Sequence, residues 1–325
     1  MSGFAVLHST AEWVECFGPS AKHTVVSIGN FDGLHLGHQK ILHGVVERAG
    51  ASGCAAAVIT FDPHPVKVLR PAQAPQMLQT LQQRLAGFAA FGLDAALVLR
   101  FDAALAARPA EEFVSDILVH PLRTTAILVG ANFRFGYRQA GNVALLEELG
   151  RRFDFAVEIV EPVAYEGVVI SSTAIRHAVA EGRVAEAARL LGQPFALTGR
   201  VERGAGRGGT VLVPTLNLSP EQELVPGNGV YATETLVGGK LYRSATNIGI
   251  RPTFDGTRRS IESHLFDFSE QLTTGPLEVR FWKRLRDERK FNSPEELLRQ
   301  ITVDLGQARE FFRHMDLSPT SAPRG

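Results

Sequence analysis

Cysteine is scarce in this chain: Cys16 and Cys54 are the only two in 325 residues. Two thiols cannot build a disulfide framework or a four-ligand zinc site, so both are expected as small buried hydrophobes. Charge of one sign is lacking as well. Lys plus Arg number 34 and Asp plus Glu number 34, which removes any bulk attraction for nucleic acid or anionic lipid. No window approaches the roughly 18 uninterrupted apolar residues of a membrane span. The opening residues MSGFAVLHST have no basic start followed by an apolar run, so no secretory leader is expected. No internal repeat is found. These absences leave the cytoplasm as the expected location, with no nucleic-acid, membrane or obligatory protein partner. What is present, 45% hydrophobic and 21% charged residues, is the mix of a soluble globular protein. The length favours two domains.

From Lys22 to about Gly192, short β-rich runs alternate with helical stretches. Candidate strands are 24–28, 55–61, 96–100, 125–129, 156–160 and 168–170. They are apolar almost throughout rather than alternating, as in a sheet covered on both faces. Helical spacing lies between them at 41–49, 78–91, 110–118 and 143–153. The series predicts a doubly wound, mostly parallel sheet whose ligands bind at the carboxyl ends of its strands. Gly182 and Gly192 read as helix ends. From Phe195 onward β signals dominate, at 195–203, 229–237, 241–250, 260–266 and 277–282, with Gly238-Gly239 as a tight hairpin turn. Ser-Pro-Glu-Glu from Ser293 reads as a capping box opening a last helix to about Phe312. The expected architecture is therefore α/β plus β: a Rossmann-like first domain (1–185), a small antiparallel β-barrel with a C-terminal helix (186–317), and a disordered tail (318–325).

Two strand ends carry the chemistry. The first runs from Ile28 into Gly29-Asn30-Phe31-Asp32-Gly33-Leu34-His35-Leu36-Gly37-His38. The glycines allow a tight turn, and the helix that follows presents free N–H groups and its positive dipole end to an anion. A lone histidine would read as a cap. His35 and His38, three apart beside a glycine, read instead as a pair able to donate to a polyphosphate and stabilise growing charge. The second signal is Val168–Arg176 (VVISSTAIR), where Ser171, Ser172 or Thr173 can cap a helix and Arg176 adds a fixed cation. Two further segments follow strands: Asp62-Pro63-His64-Pro65, and Gly130 to Gly136 with Asn132. In the latter, Phe133, Arg134 and Phe135 could stack on a planar ligand. In the second half, Gly204-Ala205-Gly206-Arg207-Gly208-Gly209 could drape over phosphates.

The ordered set GNFDGLHLGH, TFDPHP, GANFRFG, ISSTAIR, PTLN and NIGIRPTF resembles the bacterial bifunctional riboflavin kinase/FAD synthetase family over roughly residues 22–310. The resemblance implies that the first half adenylylates FMN with ATP to give FAD, and that the second phosphorylates riboflavin with ATP to give FMN, with Mg²⁺ as cofactor. It implies that His35 and His38 bind the ATP phosphates and support adenylyl transfer, and that Ser172, Thr173 and Arg176 close on them. It sets Gly29, Asn30, Phe31, Asp32, Gly33, Asp62, His64, Asn132 and Ser171 along the shared ATP and flavin site. In the kinase half it implies that Gly204 and Gly208 contact ATP, that Thr215 and Asn217 hold Mg²⁺ and phosphates, and that Glu262 is the catalytic base. Leu212 and Leu216 depart from the family pattern, which has Gly and Ala there, and Thr274-Gly275 replaces its Tyr-Gly. That departure leaves open an FAD synthetase with a kinase-impaired, flavin-binding barrel. A third reading makes the first half a nucleotidyltransferase for another phosphate ester.

Overall fold

Strands that must be apolar on both faces are found where the sheet is covered twice. A computed structural model describes residues 3–18, 23–202, 214–253, 256–270 and 272–317, with the backbone alone at 251–253 and 256–258. The chain divides into two compact units, residues 1–172 and 173–325.

The first unit contains β1 (Ala5–Leu7), α1 (Thr10–Phe17), β2 (Thr24–Ile28), α2 (Leu36–Ser52), β3 (Ala55–Asp62), α3 (Pro65–Leu69), α4 (Leu81–Ala90) and β4 (Ala95–Arg100). Next come α5 (Ala103–Ala106), α6 (Ala110–Phe113) running into a π-helical turn (Val114–Val119), β5 (Thr124–Gly130), α7 (Val143–Phe153) and β6 (Ala156–Val160). The strands are all parallel in the order β1-β4-β3-β2-β5-β6. On β2, Val25 enters one apolar cluster with Leu42, Val45 and Phe88. Its neighbour Val26 enters the other, with Trp13, Phe113 and Leu146. Helices on both faces explain why these strands show no alternation in sequence. From β2 the chain winds toward β3 and β4 on one side and β5 and β6 on the other. The topological switch point, where such sheets bind ligands, thus lies between the ends of β2 and β5.

The expected strand at 168–170 is corrected. β7 (Ala164–Tyr165) and β8 (Val168–Val169) form a separate antiparallel hairpin, with Val168 and Val169 exposed at 64% and 55%. A parallel return needs a crossover of about a dozen residues, and the segment from Glu161 to Gly167 is too short. Glu166 and Gly167, at φ 50° and 81°, turn the chain back instead. β1 and α1 went unread because a three-residue edge strand gives almost no periodicity. Cys16 and Cys54 are half-buried rather than core residues.

The division falls at the first residue of α8 (Ser172–Ala180), and α9 (Val184–Leu191) follows it in the second unit; Gly182 and Gly192, at φ 76° and 74°, end the two helices. β9 (Phe195–Glu202), β10 (Leu216–Pro220), β11 (Gly229–Val237), β12 (Lys240–Thr253), β13 (Gly256–Leu265) and β14 (Pro276–Asp287) close a barrel in the order β10-β13-β12-β11-β14-β9. Gly238 and Gly239 both have positive φ, as a two-residue primed turn demands. β10 is a strand the sequence concealed behind its turn-like Pro-Thr. The interior mixes Leu197, Ile248 and Phe281 with fully buried hydroxyls. Thr233 and Ser244, Thr233 and Thr246, and Thr246 and Ser263 are each hydrogen-bonded at 2.7–2.8 Å. These mutual bonds offset their desolvation. α10 (Pro294–Leu317) is capped by Ser293, whose hydroxyl accepts the Glu296 N–H at 3.2 Å. The Glu296 carboxylate reaches back one residue further than a capping box, to the Asn292 N–H. The Gly204–Gly209 stretch, Leu212 and the tail from Ser318 lie outside the described residues.

Phe312 is fully buried between α10 and the barrel, beside Ala232, Ala245 and Phe266. Phe312→Ala is expected to destabilise the barrel unit by about 3–5 kcal/mol. Urea unfolding followed by Trp282 fluorescence checks this; an unshifted midpoint would contradict it.

Candidate active sites

β2 ends at the switch point, and the turn that follows has an unusual backbone. Phe31, Gly33 and Leu34 have φ of 51°, 92° and 45°, a region that bulky L residues rarely occupy. What holds them there is α4 and the segment before it. The Asp32 carboxylate accepts the Leu78 and Gln79 N–H groups at 3.1 Å. The Gly33 N–H donates to Gln79 Oε1 at 3.1 Å, and Phe31 meets Phe88 edge-on at 5.6 Å. Leu34 fills the groove over Gly87, where an added Cβ would lie 2.1 Å from Leu34 Cδ1. Arg84 Nη1 donates to the Asn30 carbonyl at 2.8 Å. Asp32, 2% exposed, thus ties the turn to the segment before α4.

The turn delivers His35 as the N-cap of α2, where its Nδ1 accepts the His38 N–H at 3.3 Å. The two imidazoles are stacked, with centroids 3.6 Å apart and planes 18° from parallel. Gly37 gives them room, since a Cβ there would approach the His35 ring at 3.1 Å. Burial, and secondarily the His35 ring, hold the His38 pKa well below its ordinary value of 6.5. His38 is therefore neutral at pH 7, and an anion brought beside it would favour its protonated form. His38 Nδ1 and Asn30 Oδ1 are buried without a hydrogen-bond partner among the described residues. Such orphaned atoms cost about 1–3 kcal/mol each.

Ser172 joins this turn: its hydroxyl donates to the Asp32 carbonyl at 2.9 Å. Ser171 is half-buried and Thr173 exposed, while Arg176 lies one turn along α8, half-buried, within the second unit. Asn132 stands exposed just beyond β5, across the switch point from β2. Asp62 ends β3, and His64 caps α3 by accepting the Val66 N–H at 3.2 Å. Phe133 and Phe135 stack on each other at 5.4 Å, and Phe135 is a core residue, 7% exposed. Phe135 is thus unavailable to stack on a ligand.

In the barrel, Asn217 on β10 pairs in register with Glu262 on β13, which pairs with Asn247 on β12. Their neighbours Leu216, Ile261, Ser263, Thr246 and Ile248 are buried, so all three side chains share the outer face. Pro214-Thr215 is tied to that face by His264, whose Nδ1–H donates to the Pro214 carbonyl at 2.8 Å. A hydroxyl, two amides and a carboxylate therefore lie along one edge of the barrel. Among the described residues no cluster of three or more His, Cys, Asp or Glu could hold a metal ion. No described helix is long and apolar enough to cross a membrane.

A family model described as FAD synthetase matches residues 18–174, and one described as riboflavin kinase matches 191–312. The Escherichia coli K12 bifunctional riboflavin kinase/FMN adenylyltransferase is 40% identical over 289 residues, 89% of this chain and 92% of that protein. The chain belongs to this bifunctional family. The Haemophilus influenzae member is 35% identical, covering 88% of this chain and 94% of that protein. A solved structure from Streptococcus pneumoniae, named as a macrolide-efflux protein, superposes with a TM-score of 0.82 at 29% identity over 94% of this chain.

Within the riboflavin kinase/FMN adenylyltransferase family pattern, Leu216 departs from alanine. Its side chain is 8% exposed and points into the barrel, away from the face of Asn217 and Glu262. Leu216 therefore does not project onto the face that Asn217 and Glu262 share. Sequence reading missed Arg84 and Asn247. Asn247 opens the quoted NIGIRPTF motif, whereas Arg84 carried no motif at all.

Because His38 is depressed in the folded state, the unfolded chain binds the extra proton first. Stability should fall as pH drops below about 6.5 and be intact above it. His38→Gln is expected to flatten that acid-side loss in unfolding of the first unit measured between pH 7 and 5; an unchanged slope would contradict it.

Proposed function

We propose that the chain carries out two successive ATP-dependent transfers, phosphorylating riboflavin to FMN and adenylylating FMN to FAD. The observation carrying this reading is that the two family matches cover the two halves of the chain, each half holding its own set of phosphate-suited side chains. We assign adenylyl transfer to the turn after β2. The FMN phosphate oxygen attacks the α-phosphorus of ATP, and the bond to pyrophosphate breaks. That nucleophile is already mostly dianionic near neutral pH, because its second pKa is about 6. It needs orientation and charge stabilisation rather than a base. The α2 N-terminus, His35 and His38 supply donors, Ser172 adds a hydroxyl, and Asn30 and Asn132 line the two sides of the switch point.

The kinase step differs because its nucleophile is a neutral ribityl alcohol. We assign Glu262 as the group that takes the hydroxyl proton as oxygen attacks the γ-phosphorus and ADP leaves. Thr215 and Asn217 offer neutral oxygen donors beside that carboxylate. This hard donor set suits Mg²⁺ held jointly by one or two protein oxygens and substrate phosphates. Bound there, Mg²⁺ would neutralise phosphate charge. Asn247, in register with Glu262, would orient that carboxylate or the substrate hydroxyl.

Purified protein given riboflavin, ATP and Mg²⁺ is expected to accumulate FMN and then FAD, followed by chromatography. FAD from FMN without FMN from riboflavin would leave a synthetase with a non-catalytic barrel. His38→Ala should abolish FAD formation and spare FMN formation. Glu262→Gln should slow FMN formation by about 10²–10⁴-fold and spare adenylylation. Equal loss of both activities in either variant would contradict the two-site assignment.

A further inference from the structure

α4 carries no recognised motif, yet the turn after β2 is moulded on it, and its most unusual side chain is a cation. Arg84 is 3% exposed. Its Nη1 donates to the Asn30 carbonyl at 2.8 Å and lies 3.2 Å from Thr60 Oγ1, near the end of β3. Both bonds go to neutral oxygens rather than to a carboxylate. Nε is buried without a hydrogen-bond partner among the described residues, as is Oδ1 of Asn30. Burial lowers the Arg84 pKa, and the charges of Asp32 and then Asp62 oppose that shift. A guanidinium stays protonated even so, its ordinary pKa being far above neutrality. Asp32 is meanwhile bound to backbone amides of Leu78 and Gln79. Burying a cation without pairing it directly is costly, and a fold retains such a group where an anion is to come.

We propose that Arg84 is a positioning residue for adenylyl transfer. It locks Asn30, and with it the phosphate-binding turn, to the end of β3, and its positive charge sits beneath the turn that would hold the polyphosphate. The two hydrogen bonds set geometry, and the charge favours the same turn when phosphates are present. The proposal rests on the assignment of that transfer to the turn after β2.

The test uses the full-length chain with Arg84→Met, Arg84→Lys and Thr60→Val. FAD formation from FMN is measured for kcat and for KM of ATP, riboflavin phosphorylation serves as the internal control, and thermal melting is followed for each variant. Arg84→Met is expected to lower kcat for FAD formation about a hundredfold, with a smaller rise in KM and kinase activity unchanged. Arg84→Lys, which keeps the charge and one donor, should recover at least a tenth of wild-type kcat. A merely structural role would lower melting and reduce the Met and Lys variants alike, and that result overturns the proposal. So does an Arg84→Met variant within threefold of wild type. If Arg84→Met does not fold, Thr60→Val decides: a several-fold loss of kcat at unchanged melting supports the proposal, and unchanged kcat overturns it. Wild-type protein that makes no FAD overturns the functional assignment itself, a result distinct from active wild type matched by its Arg84 variants.

Discussion

A turn in left-handed backbone cannot hold itself, and the first site depends on something else holding it. Phe31 and Leu34 are bulky residues at φ 51° and 45°, each a strain of order 1–3 kcal/mol that persists only where surroundings impose it. Asp32 gripping the Leu78 and Gln79 amides, Leu34 seated over Gly87, and Arg84 under Asn30 impose it here. The consequence is chemical. With the turn fixed, His35 becomes a helix cap and His38 stacks upon it, so that two imidazoles and the α2 N-terminus converge at the switch point of the sheet.

In the assignment we propose, the two units divide the chemistry by what their nucleophiles need. A phosphate monoester arrives ionised, and the first unit would offer donors and geometry. An alcohol arrives protonated, and the barrel would offer the Glu262 carboxylate, flanked in register by Asn217 and Asn247. The barrel tolerates Leu216 because strand alternation sends that side chain inward while its neighbour Asn217 faces out. A bulky residue in a motif is harmless when its parity is that of the core.

Much of this was legible in the residues. Buried parallel strands announce themselves as short continuous apolar runs, as 24–28 does, and the bounds read for 156–160, 143–153 and 229–237 coincide with an edge strand, a helix and a barrel strand. The illegible parts share a physical cause: the information lies in distant contacts rather than in local pattern. Leu78 to Phe91 read only as helix, because nothing in its spacing reveals that Gly87 exists to admit Leu34 or that Arg84 points at Asn30. Val168–Ile170 read as another parallel strand because apolarity was weighed before the length of its connection. Phe135 looked like a stacking platform, but its neighbours are Phe113 and Phe133 in the core. Nor does any local pattern reveal that the oxygens of Asp32 bind backbone amides of the Leu78–Gln79 segment.

The central claim is that His38 is held neutral at an anion site whose donors are already in place. Its most direct test is the titration of the His38 imidazole by ¹⁵N NMR, with and without a non-hydrolysable ATP analogue. In the free protein His38 should stay neutral well below pH 6.5, and the bound analogue should move its titration to higher pH. A midpoint near 6.5 that ignores the nucleotide would contradict the account.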